Sequence, residues 1–162
     1  MLTLDDIIKM DNYFRELQAE LEGQLYFDST PAHQVQLMAY STDASVYQEK
    51  PSAVAIPKTI DDIKRLVRFA VTHQLTLVPR AAGTSLAGQV VSNGLIVDIS
   101  KNFNQVIEIN EQEKWVRVQP GIIRDDLNKL LFPYGLMFGP ETSTSSRAMI
   151  GGMVGNNSCG LH

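Results

Sequence analysis

The stretch Pro79-Arg80-Ala81-Ala82-Gly83-Thr84-Ser85-Leu86-Ala87-Gly88 constrains this chain more than any other. It lies between two short apolar runs, Leu75–Val78 and Leu95–Ile99, that read as buried strands. Small residues and two glycines let the backbone bend sharply and come close to whatever it faces. With an arginine ahead of them and two hydroxyls behind, the loop amides suit an anionic group, a diphosphate foremost. A Walker loop is excluded, because Gln89 and Val90 follow Gly88 where lysine and a hydroxyl residue are required. A Rossmann turn is excluded too, because the glycine spacing is wrong and a strand follows instead of a helix. The alternative is a glycine-containing turn with no ligand.

A second segment, Gly139 to Gly160, is small, polar and glycine-rich, and it shows no strand alternation. Such a segment buries little by itself, so its ordering must be offset by something it wraps. Otherwise it is a disordered tail. Ile150, Met153 and Val154 are buried-type residues among its glycines, which a solvated tail would not favour.

The length of 162 residues suits one domain or two small lobes, and 44% hydrophobic with 20% charged residues is ordinary for a globular chain. A formal charge of −4 leaves no basic footprint for nucleic acid. No apolar run is long enough for a transmembrane helix, and the basic-then-apolar order of a signal peptide is missing, so cytoplasmic residence is expected. Cys159 is the single cysteine, which leaves no internal disulfide and no thiolate metal cluster; no metal site is expected. His33 and His73 read as structural or surface residues.

Residues 3–22 read as an amphipathic helix capped by Thr3 with Asp6 and stopped by Gly23. Gln24–Pro51 reads as irregular, with Gln34–Tyr40 a short strand or turn. Ala53–Ile56 is a strand. Thr59, with Asp62 three positions on, caps a helix from Ile60 to about His73 whose buried stripe is Ile63, Leu66, Val67 and Ala70. Leu75–Val78, Leu95–Ile99, Gln105–Ile109 and Lys114–Gln119 are strands. A helix from about Ile123 to Phe132 turns Leu127, Leu130 and Leu131 inward, and Pro133–Pro140 is a turn-rich connector. The order predicts an α+β fold, with a small parallel βαβ lobe and part of a mixed or antiparallel sheet lobe.

The loop PRAAGTSLAG, the later run PETSTSSRAMIGGMVGNNSCG, and the upstream Tyr40-Ser41-Thr42-Asp43-Ala44-Ser45-Val46-Tyr47 and Pro51–Pro57 together resemble a known family. It is the vanillyl-alcohol-oxidase, or PCMH-type, FAD-binding domain, in the subgroup of FAD-linked 2-hydroxyacid dehydrogenases. That subgroup acts on D-lactate, glycolate or D-2-hydroxyglutarate. The resemblance implies an N-terminal helical extension at 1–37 and the N-terminal part of a FAD-binding domain at 38–162. The domain's remaining strands and a substrate domain would follow.

The resemblance also implies residue roles. The pyrophosphate would lie on backbone amides of the loop containing Pro79, Arg80, Ala81, Ala82, Gly83, Thr84, Ser85 and Gly88. Pro140, Glu141, Thr142 and Ser143 would run beside the isoalloxazine. Ile150, Gly151, Gly152, Gly155, Asn156, Asn157 and Gly160 would form the turn against flavin and ribityl. Thr84 stands where some relatives link flavin through histidine, which implies non-covalent FAD.

The implied reaction is hydride removal from a D-2-hydroxy acid to FAD, with the electron acceptor unspecified. No catalytic residue falls in this chain; Arg147 is the one group near the flavin segment able to hold a carboxylate, and loop fixing is its ordinary role. Alternatives are an oxidase or reductase of the same fold acting on an alcohol, sugar or cell-wall precursor, and a ligand-free interaction module. The 162 residues alone are expected to bind FAD weakly and to self-associate, and the full-length protein to lie in the cytoplasm or peripherally at the inner membrane.

Overall fold

The computed structural model describes residues 4–160, with side chains from residue 9 onward. The expected Thr3–Asp6 cap lies outside the described residues. The chain forms two compact units: one up to Pro79 together with Ser85–Asp98, the other Arg80–Thr84 with the chain from Ile99 onward.

In the first unit, α1 (Leu4–Glu20) leads into β1 (Gln24–Tyr26), α2 (Pro31–Ala39), β2 (Ala53–Ile56), α3 (Ile60–Thr72), β3 (Leu77–Arg80) and β4 (Leu95–Asp98). The sheet order is β1-β2-β4-β3. β1 is antiparallel to β2, and β2 is parallel to β4, with Val54 opposite Ile96. The βαβ lobe is therefore present, but its two consecutive strands do not touch, because β4 sits between them. β2 and β4 are buried along most of their length, as parallel strands covered on both faces must be. Leu37 of α2 closes over Val54 and Ile96. Phe14 of α1 stacks on Phe27 and Phe69 at 5.5 and 5.3 Å.

Three differences from the expected elements have local causes. Gln34–Tyr40 belongs to a helix, α2, which starts on Pro31, a residue whose fixed φ and missing N–H suit the first helical position. β3 starts two residues later than expected. The Leu75 amide is spent on the Ala70 carbonyl (2.8 Å) and Gln74 takes φ +54°, so both residues close α3 in a Schellman turn. β3 also runs through Pro79 to Arg80, which an edge strand tolerates because the missing proline donor costs no ladder bond. Thr59 and Asp62 form the expected capping box, and Leu66 and Ala70 are buried, but Val67 is exposed.

In the second unit, β5 (Val106–Asn110) and β6 (Trp115–Val118) pair antiparallel with a bulge at Ile107. Val116 and Val118 turn toward Ile122, Leu127 and Leu131, while Trp115 and Arg117 face away, with the Arg117 guanidinium 5.5 Å from the indole ring. α4 (Arg124–Leu131) buries Leu127 and Leu131; Leu130, expected inward, is exposed. Phe132–Tyr134 is a 3-10 turn closed by Gly135 at φ +63°.

The glycine-rich segment contains α5 (Ile150–Gly155), which its composition gave no reason to expect. Three glycines in six residues disfavour a helix by about 1 kcal/mol each. The cost is met by anchoring. Met149 bridges Ile123, the Ile150 amide bonds the Ile122 carbonyl (3.0 Å), the Gly151 amide bonds Pro120 (2.8 Å), and Met153 is buried. Val154 is exposed, contrary to its reading as buried.

The most heavily used polar group of the first unit is Asp62, fully buried at the start of α3. Its carboxylate accepts backbone amides of Glu22 (3.0 Å), Gly23 (3.0 Å), Lys58 (2.8 Å) and Thr59 (3.2 Å), joining the α1–β1 turn to the β2–α3 turn. Burial pushes the carboxyl up, but the amides outweigh it and hold it below the usual carboxylate range. Such a group stabilises the fold above the ordinary carboxylate value near 4, and the contribution is lost as pH falls through its depressed native value. Asp62→Ala is expected to cost about 3 kcal/mol or more at pH 7. Urea unfolding of both proteins at pH 7 and pH 3 checks this: the difference between them should shrink at the lower pH.

Candidate functional site

The Ala81–Thr84 run follows directly in the chain on β3. The Ile99 amide still bonds the Arg80 carbonyl (3.0 Å). After that the ladder stops: among the described residues, the amides of Ala81, Ala82, Gly83 and Thr84 have no acceptor. Gly83 is in the left-handed region at φ +67°, a conformation found in anion-binding nests. The Arg80 guanidinium lies over it, 2.7 Å from where a Cβ on Gly83 would stand.

The two glycine motifs, some seventy residues apart in sequence, meet in the second unit. A Cβ on Gly152 would stand 3.3 Å from the Ala81 Cβ. Gly160, at φ +75°, lies against Glu141, whose Cβ and carbonyl oxygen are 2.9 Å from its missing Cβ. Next to Glu141 in the chain, Thr142 holds a buried hydroxyl oxygen with no hydrogen-bond partner among the described residues. A buried hydroxyl left unpaired is costly, and a ligand polar atom would relieve it.

Other expected site residues are placed differently. Ile150 packs on the α4 core cluster, and Gly151 is taken up by Pro120, so both serve α5's anchoring. Ser143, Gly155, Asn156 and Asn157 are exposed, with Asn157 at φ +49°. Pro79, Ser85 and Gly88 belong to the first unit, the others to the second. The Ser85 hydroxyl donates to Asp43 (2.9 Å). Gly88, at φ +74°, packs on the Tyr47 ring.

Sequence reasoning missed the groups that hold the Pro140–Ser145 segment. Arg124, at the start of α4 and only 12% exposed in its side chain, donates to the Pro140 carbonyl (3.2 Å) and pairs with Asp125 (3.0 Å) and Glu141 (3.7 Å). Asp125 accepts the Ser145 hydroxyl (3.1 Å). Arg147, singled out beforehand, is exposed, so Arg124 is a second cation beside this segment. Two acidic residues in the first turn of α4 were the available signal.

Residues 51–162 match the FAD-binding domain family. The chain belongs to this family. It is 37% identical over 160 residues to the D-2-hydroxyglutarate dehydrogenase of Haemophilus influenzae, covering 97% of this chain and 16% of that protein. It is 42% identical over 144 residues to the Escherichia coli protein of the same name, covering 87% and 14%. With the glycolate oxidase subunit GlcD of Bacillus subtilis it shares 34% over 149 residues, 91% of this chain and 31% of that one. The chain thus spans only a small part of the curated relatives it matches. Among solved structures, alkyldihydroxyacetonephosphate synthase superposes with a TM-score of 0.74 at 21% identity, covering 88% of this chain and 28% of that one. p-Cresol methylhydroxylase gives 0.68 at 20%, covering 96% and 30%. These place the fold as the expected PCMH-type one.

The residues present fit FAD. Consecutive unpaired amides match a diphosphate, small side chains at 81, 82 and 152 leave room for close approach, and the Thr142 hydroxyl supplies an unused polar atom. No helix among the described residues is long and apolar enough to cross a membrane.

Gly83 is the residue on which the FAD-binding domain's loop turns most directly. A valine there meets a left-handed backbone that β-branched residues resist, and its Cβ strikes the Arg80 guanidinium. Gly83→Val in the full-length protein is expected to fold yet purify without flavin. The ratio of visible flavin absorbance to protein measures this, and a stoichiometric ratio would refute the loop's role.

Proposed function

We propose that this chain is the FAD-holding part of an oxidoreductase that oxidises a D-2-hydroxy acid, D-2-hydroxyglutarate first. The single observation that supports it most is the run of unpaired amides from Ala81 to Thr84, lying against Gly152. The identities of 37% and 42% to proteins named for D-2-hydroxyglutarate, over most of this chain, favour that substrate class.

In this reading each part of the chain has a separate task. Ala81–Thr84 amides take the negative charge of the diphosphate without bulky side chains. Thr142 would offer the cofactor a hydroxyl that no group among the described residues pairs with. Arg124, through the Pro140 carbonyl and Glu141, keeps the segment around Thr142 in one place. FAD, when bound, supplies acceptance of the hydride; groups that hold the substrate carboxylate and take its hydroxyl proton come from elsewhere in the full-length protein.

Thr84 has no imidazole with which to form the histidine link to flavin, which supports a cofactor held without a covalent bond. Acid precipitation of the full-length protein is expected to release all flavin into the supernatant; a yellow pellet would contradict this. With an artificial electron acceptor, D-2-hydroxyglutarate is expected to be turned over faster than D-lactate or glycolate. A protein loaded with flavin but inert toward all three refutes the substrate class.

A further inference from the structure

Ser85 and Val90 bound a limb of the loop whose shape is set from outside it. Asp43 sits in a turn closed by the Thr42–Gln48 bridge. Its Oδ1 accepts the Ser45 amide (2.8 Å), and its Oδ2 accepts the Ser85 hydroxyl (2.9 Å). The Val90 amide donates to the same carboxylate. Ser85 Oγ in turn accepts the Gln89 amide (3.2 Å) and lies close to the Gln89 side-chain oxygen. A hydroxyl has one proton, and the carboxylate is the stronger acceptor. Tyr47, whose amide is held by Ser45 Oγ (3.1 Å), packs on Gly88 from the same turn.

One half-buried carboxylate therefore ties the turn at 43–45 to both ends of the 85–90 limb. An acid is an unexpected partner for Ser85, which directly follows the residues proposed to meet a diphosphate, since like charges repel. Its donors explain how it is tolerated. Burial pushes the Asp43 carboxyl up, the Ser45, Ser85 and Val90 hydrogen bonds pull it down further, and it rests below the usual carboxylate range. The charge is already met by protein donors, and the Ser85 hydroxyl is committed to it.

We propose that Asp43 is a positioning residue for FAD binding, acting through Ser85 and Val90 and not by touching the cofactor. Ser85 follows Thr84 directly, so fixing it fixes the exit of the Ala81–Thr84 run. The inference rests on the FAD reading above and adds to it a side chain that no glycine motif contains.

The test compares Asp43→Ala, Asp43→Asn, Ser85→Ala and the Asp43→Ala/Ser85→Ala double variant in the full-length protein. FAD release is followed by flavin fluorescence, and unfolding of the apoprotein is measured separately. Each alanine variant is expected to release FAD about ten-fold faster, the size of one charge-assisted hydrogen bond. The double variant should be little worse than Asp43→Ala alone, because that substitution already removes the Ser85 tether. Asp43→Asn, which keeps one acceptor oxygen, should fall between wild type and Asp43→Ala. Variants with a lowered apoprotein melting temperature but wild-type release rates overturn the proposal, as do fully additive effects. Ser85→Ala leaves the Asp43–Ser45 turn intact, so it decides the matter even where Asp43→Ala does not fold. A wild-type protein that takes up no flavin overturns the FAD reading itself, whereas normal uptake with unaffected variants overturns only the role of Asp43.

Discussion

Four neighbouring amides with no internal acceptor, from Ala81 to Thr84, are the constraint around which this part of the molecule is arranged. The simplest relief would be to continue the ladder that ends with Ile99 on Arg80. Gly83 prevents this, because its left-handed conformation takes the chain out of strand geometry. The alanines before it add bulk too small to shield the amides, and Gly152 lets another backbone pass beside them. The sequence thus keeps donors available to an acceptor that arrives from outside.

Much of the fold was legible because it follows local rules. The Thr59–Asp62 box, the buried runs at Ala53 and Leu95, and the strand within Lys114–Gln119 depend on residues close in sequence. The failures are equally specific. Gln74 closes a helix in a conformation normally given to glycine, and nothing in a glutamine announces it. Pro79 lies inside a strand because that strand is an edge, and edge status is a property of the whole sheet. α5 forms against propensity because Ile122, Pro120 and the buried Met153 hold it, contacts visible only once the chain is folded. Val67, Leu130 and Val154 are apolar yet exposed, since periodicity names a face and does not say how wide it is.

For the candidate site the division is similar. Glycines and small residues report close backbone approach, so both motifs were readable, and their meeting at Ala81 and Gly152 agrees with a shared purpose. The groups that hold those motifs in place were not readable. Arg124 and Asp125 sit in a helix and look like ordinary surface charges until Pro140, Glu141 and Ser145 come to them. Asp43 looks like a turn residue until Ser85 donates to it. Ser85 itself was read through its amide, while its hydroxyl does the tethering. Direct contact with a ligand leaves a compositional trace; support from behind is a matter of tertiary proximity and leaves almost none.

The electrostatics separate recognition from attraction. A chain with formal net charge −4 offers a dianionic diphosphate no favourable long-range field. Nor does the Arg124 cluster supply one, since its cation is balanced by Asp125 and Glu141. What remains is short-range: amide dipoles aimed by Gly83, with the Arg80 guanidinium over the same turn. Dipoles of that kind act over a few ångströms and gain from being fixed before the ligand arrives, so they lengthen residence more than they speed encounter. That suits a cofactor that is loaded once and kept. It also accounts for why so many side chains here, Asp43 and Arg124 among them, are spent on holding backbone still.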